Sequence, residues 1–174
     1  MKNDFVMPIL VLSLICLVIS GALAFTNSVT EPVIAKAAIE REETARYEII
    51  PEADGFELIV AEGLPDTIRE VYKSTNNVGY IFMLLTSGYG GDMKIICGID
   101  SDGMLVGSKV IEYAETKGLG SKITESPFID QFDEMYGSGI HEVDAITGAT
   151  ISSSAYIGAI QDAFDAFVIV NAEG

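Results

Sequence analysis

Val78-Gly79-Tyr80-Ile81-Phe82-Met83-Leu84-Leu85-Thr86, then Ser87-Gly88-Tyr89-Gly90-Gly91, then Met93-Lys94-Ile95-Ile96-Cys97-Gly98-Ile99-Asp100 succeed one another through the middle of the chain, broken only by Asp92. The first and third segments are short, apolar and rich in branched or aromatic residues. They are bounded by turn formers, which predicts strands rather than helices. The glycine-dense segment between them reads as a tight inter-strand turn. No Gly-Lys-Ser/Thr comes after it, so it is not a P-loop. Ser101-Asp102-Gly103 carries Asp-Gly hairpin chemistry, and Met104 to Tyr113 supplies a third strand. The fold expected is therefore α+β, an antiparallel meander that delivers the segment after Tyr113 to one end of a sheet.

That segment is a loop, Glu115-Thr116-Lys117-Gly118-Leu119-Gly120-Ser121-Lys122. Its glycines let backbone approach a flat ligand, and Lys117 or Lys122 can offset negative charge; a mobile surface loop reads equally well. Pro127 to Met135 is amphipathic, with Phe128, Ile129, Phe132 and Met135 on one helical face, and Ile140 to Val143 suggests a short strand. Tyr156, Ile160, Ala163, Phe164, Phe167 and Val168 recur at helical spacing, which predicts a C-terminal helix packed on the sheet. Upstream, Gly63 to Val71 reads as a turn entering a strand.

The segment feeding the last helix is Asp144-Ala145-Ile146-Thr147-Gly148-Ala149-Thr150-Ile151-Ser152-Ser153-Ser154. A helix N-terminus offers free N–H groups and the positive end of the helix dipole, so a hydroxyl-rich turn there suits a phosphate. An ordinary cap needs one hydroxyl, and here five fall within eight residues. No Ser-His-Asp order is present, so these hydroxyls lack the base a nucleophile needs. Thr150 reads as a residue modified by another enzyme, not as a catalytic one. His141, the only histidine, sits beside Glu142 and reads as a surface residue; no metal-ligand spacing accompanies it.

Phe5 to Phe25 is a 21-residue run without a charged side chain. As a helix it would span about 30 Å, the thickness of a hydrocarbon core. Ala22-Leu23-Ala24 resembles a signal-peptidase site, but secretory apolar regions run to only about 7–15 residues, so a retained membrane anchor is expected. Lys2 and the terminal amine favour a cytoplasmic N-terminus and an extracytoplasmic main domain. Thr30 to Tyr47 reads as a helix, with Thr30 as N-cap and Pro32 in its first turn. Ile34, Ala38 and Ala45 would share a stripe, while Glu40, Arg41, Glu42, Glu43 and Arg46 face water; Pro51 and Gly55 end it. The organisation expected is a short cytoplasmic N-terminus (1–4), a transmembrane helix (5–25), a helical stalk (26–55) and one extracytoplasmic domain (56–174).

The formal charge of −16 falls entirely on residues 26–174, nine basic against 25 acidic. Such a surface repels nucleic acid and anionic headgroups. Cys16 and Cys97 lie 81 positions apart, one of them in the apolar run, so no disulfide framework or cysteine-ligated centre is expected.

Taken in order, Ser87–Gly91, Gly98-Ile99-Asp100 with Asp102-Gly103, Glu115-Thr116-Lys117-Gly118-Leu119-Gly120 and Asp144–Ser152 resemble the FMN-binding domain family. Its members include the G subunits of Rnf-type complexes and the C subunits of sodium-pumping NADH:quinone oxidoreductases. The resemblance spans about residues 75–160. It implies FMN joined as a phosphoester to the Thr that closes Ser/Thr-Gly-Ala-Thr, here Thr150, by a separate flavin transferase. Asp144, Thr147, Gly148 and Ala149 match the rest of that motif, with Ser152 just beyond. Glu115, Thr116, Gly118, Leu119 and Gly120 match a loop against the flavin ring, with Lys122 at its end; Lys117 departs from the family's usual Pro. The function so implied is electron relay within an Rnf-type ion-translocating oxidoreductase, among other membrane subunits and in a lipid bilayer. The alternatives are a membrane-anchored FMN reductase serving an extracellular acceptor, and a non-redox sensor or adhesion domain.

Overall fold

The computed structural model describes residues 3–173, so Lys2 and its bearing on orientation lie outside the described residues. In chain order the elements are α1 (Asn3–Ile49), β1 (Phe56–Ile59), β2 (Ile68–Ser74), β3 (Gly79–Ser87), β4 (Asp92–Asp100), β5 (Met104–Tyr113), α2 (Ser126–Ile129), β6 (Met135–Tyr136) and α3 (Thr150–Glu173). Short 3₁₀ turns fill Gly120–Thr124, Asp130–Phe132 and Gly137–Glu142. The strands form one sheet in the order β1-β2-β3-β4-β5-β6, every pair antiparallel. The expected antiparallel α+β domain is what the chain forms. The three predicted strands are β3, β4 and β5, the turn expected at 63–71 leads into β2, and β1 and β6 form the edges.

Strand β3 is apolar almost throughout because both faces of the sheet are covered. Tyr80, Phe82 and Leu84 point into one core with Met93, Ile95, Cys97 and Ile99 of β4 and the buried face of α3. Ile81, Met83 and Ile96 point into a second core closed by Ala45, Ile50 and Ala53. The end of α1 comes close enough for this because Gly98 has no side chain; a Cβ there would lie 2.5 Å from the Ile49 side chain. Lys94 pairs with Glu42, Lys109 with Glu48 at 2.6 Å, and the Arg46 guanidinium lies 3.9 Å from the centre of the Tyr72 ring. Glu42 and Arg46 therefore bind the sheet instead of facing water as expected.

Compact packing divides the chain between Arg41 and Glu42. In the first unit α1 is long and apolar enough to cross a membrane, and its apolar side chains are exposed. The helix does not restart at Thr30. That hydroxyl donates to the carbonyl of Thr26 at 3.0 Å, as Thr26 does to Ala22 and Ser28 to Phe25. Polar residues that bond back to the preceding turn leave the helix continuous, so no cap is needed. Ile34 is exposed rather than part of a buried stripe.

Three further expectations need correction. The amphipathic run 127–135 is not one helix: α2 covers four residues and passes into a 3₁₀ turn, and Glu134 takes a positive φ of 53°. Ile140 to Val143 is no strand, since Gly137–Glu142 is a 3₁₀ turn; β5 pairs instead with Met135 and Tyr136. Val168 is exposed and Val170 is buried. Residue 168 lies about 40° around the helix beyond Phe164, outside the arc that meets the sheet.

Candidate functional site

The hydroxyl-rich segment enters α3 through a turn in which the Ala149 N–H donates to Ile146 C=O at 3.0 Å and Gly148 has φ 85°. A Cβ on Gly148 would meet nothing within 4 Å, so it is the left-handed backbone, not space, that calls for glycine. The first bond of the helix runs from Ser153 N–H to Ala149 C=O at 2.9 Å. The N–H groups of Thr150, Ile151 and Ser152 consequently have no acceptor within the helix. The anion-suited helix start expected from the sequence is present, and Thr150 is its first residue.

The five hydroxyls are not equivalent. Ser153 is fully buried; its Oγ accepts from Ile146 N–H at 3.0 Å and donates to Ala149 C=O at 2.9 Å, bracing the turn. Ser152 is also buried. Its hydroxyl donates to Glu115 Oε1 at 2.7 Å and accepts from Tyr89 N–H at 3.2 Å. Thr147, Thr150 and Ser154 remain exposed. Thr150 lines an open groove of about 390 Å³ with Gly148, Ala149, Ile151, Leu119 and Tyr89. Its volume is within the range of small-molecule sites, and its walls are chiefly apolar, which fits a flat ring.

The groove's walls come from three parts of the chain, and Glu115 holds them together. Besides the Ser152 bond, Glu115 Oε1 accepts from Gly90 N–H at 3.2 Å. The carboxylate fits only because glycines surround it: a Cβ on Gly88 would stand 2.0 Å from Oε1, and one on Gly120 2.1 Å from Oε2. Within the loop, Thr116 C=O accepts from the N–H groups of Leu119 and Ser121, and Gly118 has φ 81°. This leaves Leu119 exposed at the groove, Thr116 and Gly118 exposed away from it, and Gly120 buried against Glu115.

Asp144 and Lys122 border a different hollow, of about 260 Å³, with Phe128, Gln131 and Ile146. Gln131 clamps the Asp144 backbone on both sides, accepting from its N–H at 2.8 Å and donating to its C=O at 3.3 Å. The Tyr156 ring packs with Phe132 and with Phe128, which borders this second hollow, and its hydroxyl donates to Ser108 at 2.7 Å. Burial pushes the Tyr156 phenol pKa up from its ordinary value. The sequence reading missed Tyr89 and Ile151 at the groove. The signal for Tyr89 was an aromatic inside a glycine-rich turn, where nothing local needs one.

Residues 88–165 match the model of the FMN-binding domain family, a segment that contains every residue lining the groove. The chain is 34% identical to the G subunit of the Na(+)-translocating ferredoxin:NAD(+) oxidoreductase complex of Acetobacterium woodii, across 84% of this chain and 83% of that protein. It is 33% identical to the G subunit of the ion-translocating oxidoreductase complex of Methanosarcina acetivorans, across 94% and 95%. The chain belongs to the G-subunit family of ion-translocating oxidoreductase complexes. A proton-translocating member from Clostridium ljungdahlii is 23% identical across 88% and 86%. Family membership makes the fold an FMN-binding domain.

Proposed function

We propose that this chain is the electron-relay subunit of an ion-translocating ferredoxin:NAD-type oxidoreductase complex, with FMN held as a phosphoester on Thr150. The observation that carries the linkage is the contrast among hydroxyls at the start of α3. Ser152 and Ser153 are buried and bonded, while Thr150 is exposed at the groove beside free helix N–H groups. In forming the ester, Thr150 Oγ gains a bond to phosphorus and loses its proton. An activated flavin phosphoanhydride releases its leaving group with the P–O electron pair. A flavin transferase supplies the base that the site lacks. Once bound, FMN exchanges electrons singly or in pairs. The protein's part is to hold the phosphate end at α3 and expose the ring to redox partners.

In this reading residues 5–25 cross the bilayer with the N-terminus in the cytoplasm, 26–55 form the stalk, and 56–174 carry the flavin outside. The partners are the multispan subunits of the complex, and the isolated chain has little turnover of its own. Support comes from the relatives' names and from the apolar length of α1.

The test is intact mass and in-gel fluorescence after coexpression with a flavin transferase. The parent chain gains FMN less one water and gives a fluorescent denatured band. Thr150→Val abolishes both while leaving the fold intact by circular dichroism. Retention of the added mass in Thr150→Val, with loss in Thr147→Val, would move the acceptor to Thr147. A parent chain without added mass would sink the covalent reading.

A further inference from the structure

Tyr89 combines two properties that seldom occur together. Its side chain is 78% exposed, among the largest exposures of any aromatic residue described. Its backbone is nevertheless fixed from several directions. The Tyr89 N–H donates to buried Ser152 Oγ, Gly90 N–H donates to Glu115 Oε1, and Gly88 N–H donates to Gly91 C=O at 2.8 Å. On either side of it, Gly88 packs against the Glu115 carboxylate, and Gly90 against Ala114 C=O, where an added Cβ would stand 2.5 Å away. An aromatic ring left in solvent on an immobilised backbone loses little entropy when a flat partner settles on it, so it is built to receive one.

The ring borders the same groove as Thr150, with Leu119 and Ile151 as the other large walls, both more than half exposed. We infer that Tyr89 forms the aromatic wall against which the isoalloxazine of bound FMN rests, and that the Ser152–Glu115 pair is the positioning device that fixes its distance from Thr150. The inference rests on the FMN reading above and adds to it a ring-contact residue and the means of its placement. The device reaches both ends of the ligand. Ser152 lies in the first turn of α3, two residues after the phosphate-bearing Thr150, and its hydroxyl also accepts the N–H of the residue that would meet the ring. Tether and wall thus share one hydrogen-bonded frame.

A phenol in contact with photoexcited flavin quenches its emission by reversible electron donation; leucine and phenylalanine do not. The experiment compares flavin fluorescence of the native, flavin-loaded chain with that after denaturation, for the parent, Tyr89→Leu, Tyr89→Phe and Ser152→Ala. Native emission should rise severalfold in Tyr89→Leu and in Tyr89→Phe. Ser152→Ala should give a smaller rise with lower emission anisotropy, because the wall is loosened but not removed. Intact mass and denatured emission should match the parent in both Tyr89 variants. Unchanged native emission in both Tyr89 variants, with FMN mass present, overturns the ring contact and leaves the attachment reading standing. If those variants instead lose copurifying subunits while emission stays constant, Tyr89 is a protein-docking residue and the inference fails. Absence of FMN mass from the parent chain would refute the attachment reading, and with it this one.

Discussion

Two glycine-bearing turns of the same meander, bonded in opposite ways, show how this fold separates structure from function. Between β4 and β5, the turn at 101–103 is bonded chiefly within itself: Asp100 Oδ1 accepts from the N–H groups of Asp102 and Met104, each at 2.9 Å, and Asp100 C=O from Gly103 N–H at 3.2 Å, while Ser101 N–H reaches across to Val78 C=O at 3.1 Å. Gly103 takes φ 86°, the left-handed region that the tight turn demands. Between β3 and β4, the turn at 87–91 depends on distant partners. Tyr89 reaches 63 positions along the chain to Ser152, and Gly90 reaches 25 to Glu115. A turn that closes on itself can be read in its own residues. A turn tied to two other segments makes the three behave as one body, and here that body lines a groove.

Gly90 is where this contrast breaks most visibly. Its Cβ would approach Ala114 C=O to 2.5 Å and Glu115 Cα to 3.0 Å, and these backbone atoms cannot swing aside as a side-chain end can. Gly90→Ala should lower stability by about 1–3 kcal/mol, the usual cost of overpacking, measured by urea unfolding. It should also shift the environment of attached flavin, because moving residues 114 and 115 moves the Glu115 carboxylate. A loss of stability with native flavin emission unchanged would show that the turn and the groove are not mechanically joined.

The range of each feature's bonds decides how legible it is in the sequence. The meander was visible because strand patterning and Asp-Gly chemistry are local, and α3 because Tyr156, Ile160, Ala163 and Phe167 repeat at helical spacing. Thr150 stood out only through a family motif; composition offered five hydroxyls, and burial of Ser152 and Ser153 is a tertiary fact. Glu115 matched a ring-side loop by resemblance, yet its carboxylate turns inward among Gly88, Gly90 and Gly120. Nothing in the loop's own residues tells that direction, since the partner serine lies 37 positions away. The run 127–135 misled for the reverse reason. Phe128 and Phe132 do bury together, so the spacing was right, but the α-helix ends at Ile129, continues as a 3₁₀ turn and turns extended at Asp133.

Gly103→Ala sharpens the contrast from the other side. The substitution forces an L residue into the left-handed region, at about 1–2 kcal/mol, and sets a Cβ 3.2 Å from the Phe167 ring. Its cost should therefore approach that of Gly90→Ala in urea unfolding. Flavin emission and potential should stay at parental values, because neither Phe167 nor the turn touches the groove. A change in the flavin signal here would mean that any loosening of the sheet reaches the site, and the special standing of the 87–91 turn would be lost.

Asp100→Ala is the mildest test. It removes the shared acceptor of two turn N–H groups, one of them exposed and the other half-buried, so water can take over part of the bonding. The expected loss is about 1 kcal/mol, the net value of an ordinary hydrogen bond, with m-value and flavin emission unchanged. Asp100→Asn keeps an oxygen in place and should recover most of that loss. Failure of Asn to recover it would assign the effect to the carboxylate's charge. Because Ser101 N–H also reaches Val78 C=O at 3.1 Å, a larger loss in both variants would mean that this tie beyond the turn depends on Asp100 as well.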